Sequence, residues 1–346
     1  VIAAINEFFR SSQLSQILDQ INPLAEVDHL RRLSVMGAGG IARDRASFSI
    51  RDVHYSQYGR IDPVRSPEGQ NIGLVTYLAL YARINEYGFL EAPYRKVVQE
   101  NGKSRVTDEI VYLTADDEED KYITEATISI DENGYISQNR VPVRLGGAFF
   151  EADSKLVNLI DITPQEIIGT SASLIPFLAH DDANRALMGS HMQCQAVPLL
   201  LPEAPLVGTG MERIVADNIA RVVRAPFDGV VSYVDGDKVV LEGAEKVEFK
   251  VSKFIGSPSM TCYSQRPVVQ LGQKISEGDL LIEGTSTDMG ELSLGRNLLI
   301  AYMTYDGLGY EDAIVISDRL VKEDVLTSIH IEEFENTARD TKLGKE

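Results

Sequence analysis

The stretch Ser11–Gly40, SSQLSQILDQINPLAEVDHLRRLSVMGAGG, constrains this chain more than any other, because no generic fold requires it. It sets Gln13, Gln16, Asp19, Gln20, Asn22, His29, Arg31, Arg32 and Ser34 among moderately apolar neighbours and ends in a glycine-bearing loop. Amide, carboxylate, imidazole and guanidinium groups at this density suit a surface that holds a polyanion in register. Arg gives bidentate phosphate contact, and amides add neutral hydrogen bonds beside it. The plainer alternative is a solvated helix–loop–helix face, which is what most polar runs are.

Charge sharpens the choice. The formal net charge of −19 over 346 residues argues against a nucleic-acid binder if read as a sum. The distribution is uneven, however. Arg31 to Arg65 holds seven Arg against three Asp, whereas Asn101 to Glu132 holds ten acids against three bases. A basic inner channel with an acidic outer face reconciles the two, since binding answers to the local field. Cys194 and Cys262 lie far apart without metal-ligand spacing and read as free thiols in a reducing compartment. No apolar run approaches the ~20 residues of a membrane helix; LVTYLALYA is too short. The opening Val1 and the ending TKLGKE are the marks expected of a segment cut from something larger.

Periodicity gives an α+β, multidomain fold with mixed helices and mostly antiparallel β-sheets. An amphipathic start at Ile2–Phe9 is broken at Asn22-Pro23, and Glu26–Met36 resumes helical spacing. Ala46–Val53 alternates as a strand. Ser104–Leu113 and Ile123–Ile130 read as strands, with Asp131–Gly134 as a hairpin turn. Thr163 before Pro164 opens a short helix, and the C-terminal half of Ser173–Met192 is helical from near Asp181–Asn184. The acids Asp116–Asp120 lack the spacing of a calcium loop and read as solvated. APFDGVVSYVDGDKVVLEG and VVQLGQKISEGDLLIEG form a hairpin-like pair of barrel-sandwich type, as in biotinyl and lipoyl carriers. Lys246, Lys250 and Lys253 lack the Met-Lys-Met or Asp-Lys-Ala setting of a modified lysine. A non-enzymatic acidic interaction or carrier-like module is therefore the alternative function.

Several blocks follow Ser11–Gly40 in a telling order: RDVHYSQYGRIDPVRSPEGQNIGL (Arg51–Leu74), NEYGFLEAPYRKV (Asn85–Val97), SLIPFLAHDDANRALMGSHMQCQAVPLL (Ser173–Leu200) and LVGTGMER (Leu206–Arg213). STDMGELSLGRN (Ser286–Asn297), GYEDAIVISDRL (Gly309–Leu320) and RDTKLG (Arg339–Gly344) complete the series. Together they resemble the β-subunit family of bacterial-type DNA-directed RNA polymerases, from the rifampicin-pocket and fork region to the start of the flap. The resemblance implies barrel-sandwich and partial double-psi β-barrel elements. It also implies five regions: a rifampicin-pocket and fork region (1–75), a peripheral acidic β-rich external lobe (76–165) and a helical active-centre segment (166–205). A hybrid-binding and barrel region (206–330) and the start of the flap (331–346) follow.

The implied reaction is attack of an RNA 3′ hydroxyl on the α-phosphate of a nucleoside triphosphate. Such phosphoryl transfer uses two metal ions and cationic clamps. The resemblance puts Glu311 and Asp312 beside the second Mg2+, in part through water, and Arg185 on the incoming triphosphate. Neighbouring strand residues point to opposite faces, so both carboxylates reach one ion only if the turn at Gly307 and Gly309 bends the backbone. Gln13, Gln16, Asp19, His29, Arg32, Ser34, Arg43, Pro67, Glu68, Asn71 and Ile72 map onto the rifampicin pocket along the nascent RNA path, which implies rifampicin sensitivity. Gly37–Val53, with Arg43, Arg45 and Arg51, maps to the downstream edge of the bubble. Met188, His191 and Gln195 fall near hybrid and template.

His191 and Cys194 depart from the family pattern ANMQRQAV, and a basic residue is gone at Leu30. The principal Mg2+ site is expected on β′. Implied partners are the β′, α and omega subunits, a sigma factor, template DNA, nascent RNA and nucleoside triphosphates, with no membrane. The expected location is the bacterial cytoplasm or plastid stroma, and the segment is expected to be inert alone.

Overall fold

Leu90–Glu100 and Lys103–Leu113, rich in β-branched and aromatic residues, make the longest pair of strands, joined antiparallel from Ala92↔Leu113 to Glu100↔Lys103. They appear in a computed structural model that describes residues 1–100, 102–219, 221–338, 340–341 and 344–345. The chain is mixed α and β with mostly antiparallel sheets and divides into two compact units. One comprises Val1–Gln16 and Val27–Met192; the other comprises Ile17–Glu26 and Gln193–Glu346.

In the first unit, Leu90–Glu100 pairs with Arg83–Ile84, Lys103–Leu113 and Leu159–Asp161. The sheet then continues through Ile123–Thr124 and Arg140–Leu145 to Ala148–Asp153. Val97, Ile136, Val141, Val143, Ala152, Val157 and Ile160 fill one core, and Ala92, Tyr94, Ile123 and Leu159 fill another. A buried polar network lies beside them. Glu118 accepts from Arg60 (2.8 Å) and from the Tyr94 hydroxyl (2.7 Å). Arg144 donates to Tyr94 (3.2 Å), pairs with Asp161 (3.5 Å) and stacks 3.8 Å over the Tyr58 ring. Glu166 is fully buried; one carboxylate oxygen accepts from the Ile162 N–H, and the other has no partner among the described residues.

In the second unit, strands run in the order Lys246–Lys250, Lys238–Gly243, Gly229–Val234, Lys274–Ile275. A second small sheet orders Val223–Arg224, Leu280–Glu283 and Arg266–Pro267. Val231, Val239, Leu241, Ile275, Leu281 and Ile282 make its core. Neither sheet closes into a barrel among the described residues. Lys246 and Lys250 lie within a strand, not on an exposed hairpin between two halves.

Some expectations hold. Asp131–Gly134 is a turn, with Gly134 at φ +84°, closed by the Gly134 N–H to Asp131 carbonyl bond and an Ile130↔Ile136 bridge. Helix Ala183–Gln195 starts where the acids predicted, and Thr163 caps the Pro164–Ile167 turn, which is a 3-10 helix. Others change. The helix resumes at Pro23 and ends at Leu30, because Arg32–Ser34 turns into a strand paired with Val75–Tyr77. Ala46–Val53 is not a strand. Its N–H groups bond locally (Ala46 to Arg43, Ile50 to Ser47, Asp52 to Phe48), giving a 3-10 turn and a short helix, Phe48–Arg51. A strand needs a neighbouring strand to satisfy those groups. Within Ile123–Ile130 the strand is confined to Ile123–Thr124 before a turn at Glu125, and Ile130 pairs only through the isolated bridge to Ile136. In 331–346 the backbone of Asp340–Thr341 pairs with Gly344–Lys345. Arg339, Lys342 and Leu343 of the RDTKLG block, and Glu346, lie outside the described residues.

Replacing Glu118 by Gln leaves a buried Arg60 without its counter-charge. It is expected to destabilise this sheet by about 3 kcal/mol, measured as faster amide exchange across Leu90–Leu113. Burial, helped by the nearby Asp161 charge, raises the Glu166 carboxyl to about 8. Between its ordinary value of 4.5 and about 8 the folded protein holds a proton that the unfolded chain has lost. Stability should therefore fall as pH rises through that window. Glu166→Gln keeps the neutral form, and amide exchange followed across the window should show that fall removed.

Candidate nucleic-acid interface

The polar strap begins where the exposed helix Ile2–Ser11 gives way to extended backbone at Ser12. Gln13 and Gln16 are exposed. The Gln16 side-chain oxygen lies 3.0 Å from His29 Nε2, so the strap's imidazole is oriented by an amide three turns away in sequence. Asp19 is half-buried. Asn22 is fully buried and uses its whole side chain. Its carbonyl oxygen accepts from the Ala25 N–H (2.9 Å), as a helix N-cap does, with Pro23 in the first helical position. Its amide nitrogen lies 3.0, 3.2 and 2.7 Å from the carbonyls of Gln193, Cys194 and Ala196. Those carbonyls lie at the C-terminal end of the helix Ala183–Gln195, where intrahelical donors run out; the Gln193 carbonyl also accepts from the Ala196 N–H (3.4 Å).

Arg32 and Ser34 flank Leu33 on the short strand and are exposed; Arg32 lies 5.8 Å from the Tyr77 ring centroid. The loop Gly37–Val53 and the turn 67–72 are brought together. Arg43 donates to the Gln70 side chain (3.3 Å), and Arg51 donates to the carbonyls of Gln70 and Ile72 (2.8 Å each). Gly73, at φ +70°, lies against the Arg51 backbone, where a Cβ would collide with the Arg51 carbonyl oxygen. Glu68 and Ile72 are exposed, Pro67 is half-buried, and Arg45 is exposed without an ion pair among the described residues. The Asn71 side-chain oxygen is buried without a partner among the described residues.

Counting charge misplaced part of the basic patch. Arg60 and Arg65 are 2% and 5% exposed. Arg60 is bound to Glu118 and to the Leu113 carbonyl, and Arg65 to Asp28 at 3.1 Å. Arg31 donates to the Leu78 and Ala79 carbonyls, and burial lowers its pKa. Asp62 beneath the turn accepts from the N–H groups of Val64, Arg65 and Gly169. Asp28 also bonds Ser171. Cationic side chains that reach solvent are thus Arg32, Arg43, Arg45 and, in part, Arg51. These buried supports went unread because each partner is remote in sequence; the only local trace was Asp62-Pro63 opening a turn.

Arg185, Met188, His191 and Gln195 recur every three or four residues along Ala183–Gln195 and so share one face. Arg185 and Gln195 are exposed, and Met188 and His191 are half-buried. The Arg185 guanidinium makes no ion pair with Asp181 or Asp182; its polar contact is the Met188 sulfur at 3.7 Å. Glu311 and Asp312 lie on an exposed 3-10 turn, Tyr310–Asp312. The bend expected at both glycines occurs at Asp306 (φ +46°) and Gly307 (φ +71°), whereas Gly309 is at φ −86°. The acids themselves take left-handed backbone, φ +52° and +63°, which non-glycine residues rarely adopt. Neither carboxylate is engaged among the described residues, and no group of three or more His, Cys, Asp or Glu is placed to hold a metal. Two free oxygen ligands fit a share in a magnesium ion whose remaining ligands are water and other groups.

Three family models match in chain order. They are RNA polymerase Rpb2, domain 3 (residues 16–84), the RNA polymerase beta subunit external 1 domain (94–163), and RNA polymerase Rpb2, domain 6 (224–346). The chain is 55% identical over 348 residues to the DNA-directed RNA polymerase subunit beta of Caldicellulosiruptor saccharolyticus, covering 100% of this chain. It is 52% identical over 351 residues to that of Sorangium cellulosum and 50% identical over 352 residues to that of Chelativorans sp.. The chain belongs to the RNA polymerase β-subunit family. It spans 28%, 25% and 25% of the length of those three relatives. The strap from Gln16 onward, the loop 37–53 and the turn 67–72 fall within the first matched domain, and Glu311 and Asp312 within the domain matched from 224. Arg185 lies between matched models but inside the full-length alignments to β subunits.

Asn22→Ala removes a cap and the donor to three carbonyls, and is expected to cost about 2 kcal/mol. It should be read as lost amide protection at Ala25 and Glu26 in a complete β subunit. Asn22→Asp keeps the cap but turns a carboxylate toward those carbonyls, and should be no better. Recovery of protection by Asp would reduce Asn22 to a cap alone.

Proposed function

We propose that this chain is an internal segment of a β subunit that takes part in template-directed RNA synthesis, lining the nascent-RNA path and the site of the incoming nucleotide. The observation that carries this reading is the identity of 55% over the whole chain to a named β subunit. The five regions given above, with a barrel-sandwich element in 223–283 and part of a double-psi barrel in the exposed run 298–317, belong to the same proposal. So do assembly with β′, α, omega and a sigma factor, binding of DNA, RNA and nucleoside triphosphates, and a cytoplasmic or plastid location. Among the described residues no helix is long and apolar enough to cross a membrane.

In this reading Arg185 holds the triphosphate. Its guanidinium is exposed, unpaired with an acid among the described residues, and unable to lose its charge. Glu311 and Asp312 hold the second Mg2+, directly or through water, as neighbours on an exposed turn and without an ion pair among the described residues. When bound, that ion neutralises charge developing on the phosphates. The chemistry is positioning and electrostatics rather than covalent work by the protein. Gln13, Gln16, Asp19, His29, Arg32, Ser34, Arg43, Pro67, Glu68, Asn71 and Ile72 offer amides, an imidazole and a few cations to the RNA path. The same surface is the one proposed to take rifampicin. Met188, His191 and Gln195, with Arg45 and Arg51, face hybrid and template.

The test is primer extension on a synthetic bubble template by a complete β subunit carrying this segment, assembled with α and β′. Asp312→Ala should slow nucleotide addition roughly 10- to 100-fold, as loss of an outer metal partner does, while assembly is spared. Arg185→Ala should raise the apparent nucleotide KM, and rifampicin should stop extension after the first bonds. Unchanged rate, KM and extension would overturn the three roles in turn.

A further inference from the structure

The strap that carries Asp19 is held by a turn about 240 residues later in the chain. The Gln20 N–H donates to Ser259 Oγ (3.3 Å), and the Gln20 carbonyl accepts from Thr261 Oγ1 (3.0 Å). One turn thus satisfies both backbone polar groups of the residue next to Asp19. The turn is itself braced. Ser257 Oγ lies 2.7 Å from Thr261 Oγ1 and accepts from the N–H groups of Ser259 and Thr261 (3.2 Å each). The Ser257 N–H also donates to the Thr261 carbonyl (2.9 Å), and Met260 takes a left-handed conformation at φ +61°. Thr261 is 2% exposed, so neither of its bonds to the strap and to Ser257 is exchanged readily for water.

Tyr263 continues the same support. Its ring is buried, and the Arg221 guanidinium lies 5.1 Å from the ring centroid. The Arg221 backbone is left-handed (φ +59°) and is fixed by Gln265, whose amide donates to the Arg221 carbonyl at 2.6 Å. Burial, with the charges of Glu26 and Asp19, pushes the Tyr263 phenol above its ordinary range, so it stays neutral beside those acids. Its hydroxyl has no hydrogen-bond partner among the described residues. Tyr263 therefore makes no hydrogen-bonded anchor through its hydroxyl among the described residues.

We infer that Thr261, with Ser259 and Tyr263, positions the Asp19 strap and so sets how the RNA path accepts nascent RNA and rifampicin. This rests on the pocket reading under Proposed function. The residues touch neither ligand; they act through the backbone of Gln20. A lost bond at Gln20 shifts the adjoining Asp19, and a buried hydrogen bond is enough to change affinity severalfold.

The experiment uses the complete, assembled enzyme with Thr261→Val, Thr261→Ser and Asp19→Val. It measures the rifampicin concentration that halves extension, and the rate of the first bond. Thr261→Val, which keeps the side-chain shape and removes the donor, is expected to raise the half-inhibitory concentration roughly tenfold. The rate of the first bond should stay near that of the parent, and Thr261→Ser, which restores the hydroxyl, should restore sensitivity. Parental sensitivity in Thr261→Val beside resistance in Asp19→Val would overturn the inference and leave the pocket reading standing. Parental sensitivity in Asp19→Val would overturn the pocket reading and this inference with it. Should Thr261→Val fail to assemble, Ser259→Ala removes the longer bond alone. A roughly threefold rise in that variant supports the inference, and no rise overturns it.

Discussion

One buried amide organises the candidate interface. Asn22 begins one helix with its oxygen and finishes another with its nitrogen, so groups at two helix ends are bonded by a single side chain. No other residue type does both: Asp has no donor, Ser is too short to reach three carbonyls, and Gln would overreach the cap. The strap's course from Ile17 to Glu26 follows from that fixed point. Gln20 is then clamped two residues earlier by Ser259 and Thr261, and Asp19 is carried along. A segment dense in polar groups is thus held at Gln20 through its backbone and at Asn22 through its side chain.

What the sequence revealed follows from how local each interaction is. The turn at Asp131–Gly134 needs only Asn-Gly and its neighbours, and the cap at Thr163 needs only Pro164 and Gln165; both were legible. The alternation of Ala46–Val53 misled because strand pairing depends on a partner that the pattern cannot name, and here the N–H groups close on nearby carbonyls instead. The roles of Asn22 and Thr261 were illegible, since their partners lie 171 to 241 residues away. The candidate site residues were assigned through collinear blocks, and physical chemistry alone explains only part of the list. Arg185 on an exposed helix face is of that part. Asn71, whose buried oxygen is unsatisfied among the described residues, is not.

Charge behaves differently in space than in a tally. Seven arginines between positions 31 and 65 read as one patch, yet Arg60 and Arg65 are buried counter-ions of Glu118 and Asp28. Removing them from the surface leaves five, of which Arg32 on the short strand and Arg43 and Arg45 on the loop are exposed and Arg31 and Arg51 half-buried. The Arg60–Glu118 pair serves the large sheet, where Tyr94 and Tyr58 interleave with Arg144, and the Arg65–Asp28 pair ties the helix Pro23–Leu30 to Ser171. The same residue type thus carries scaffold and interface within 35 positions of sequence.

The absence of a side chain at Gly73 has a consequence for how this surface can change. Arg51 reaches the Gln70 and Ile72 carbonyls only because its own backbone sits in the space that any Cβ at position 73 would fill. The two positions therefore form a lock in which each residue is permitted by the other. Drift at 73 must wait for a retreat of the backbone at 51, and that retreat first gives up two hydrogen bonds. Paths between sequences that differ here run through a less ordered intermediate, so the loop and the turn evolve as one block.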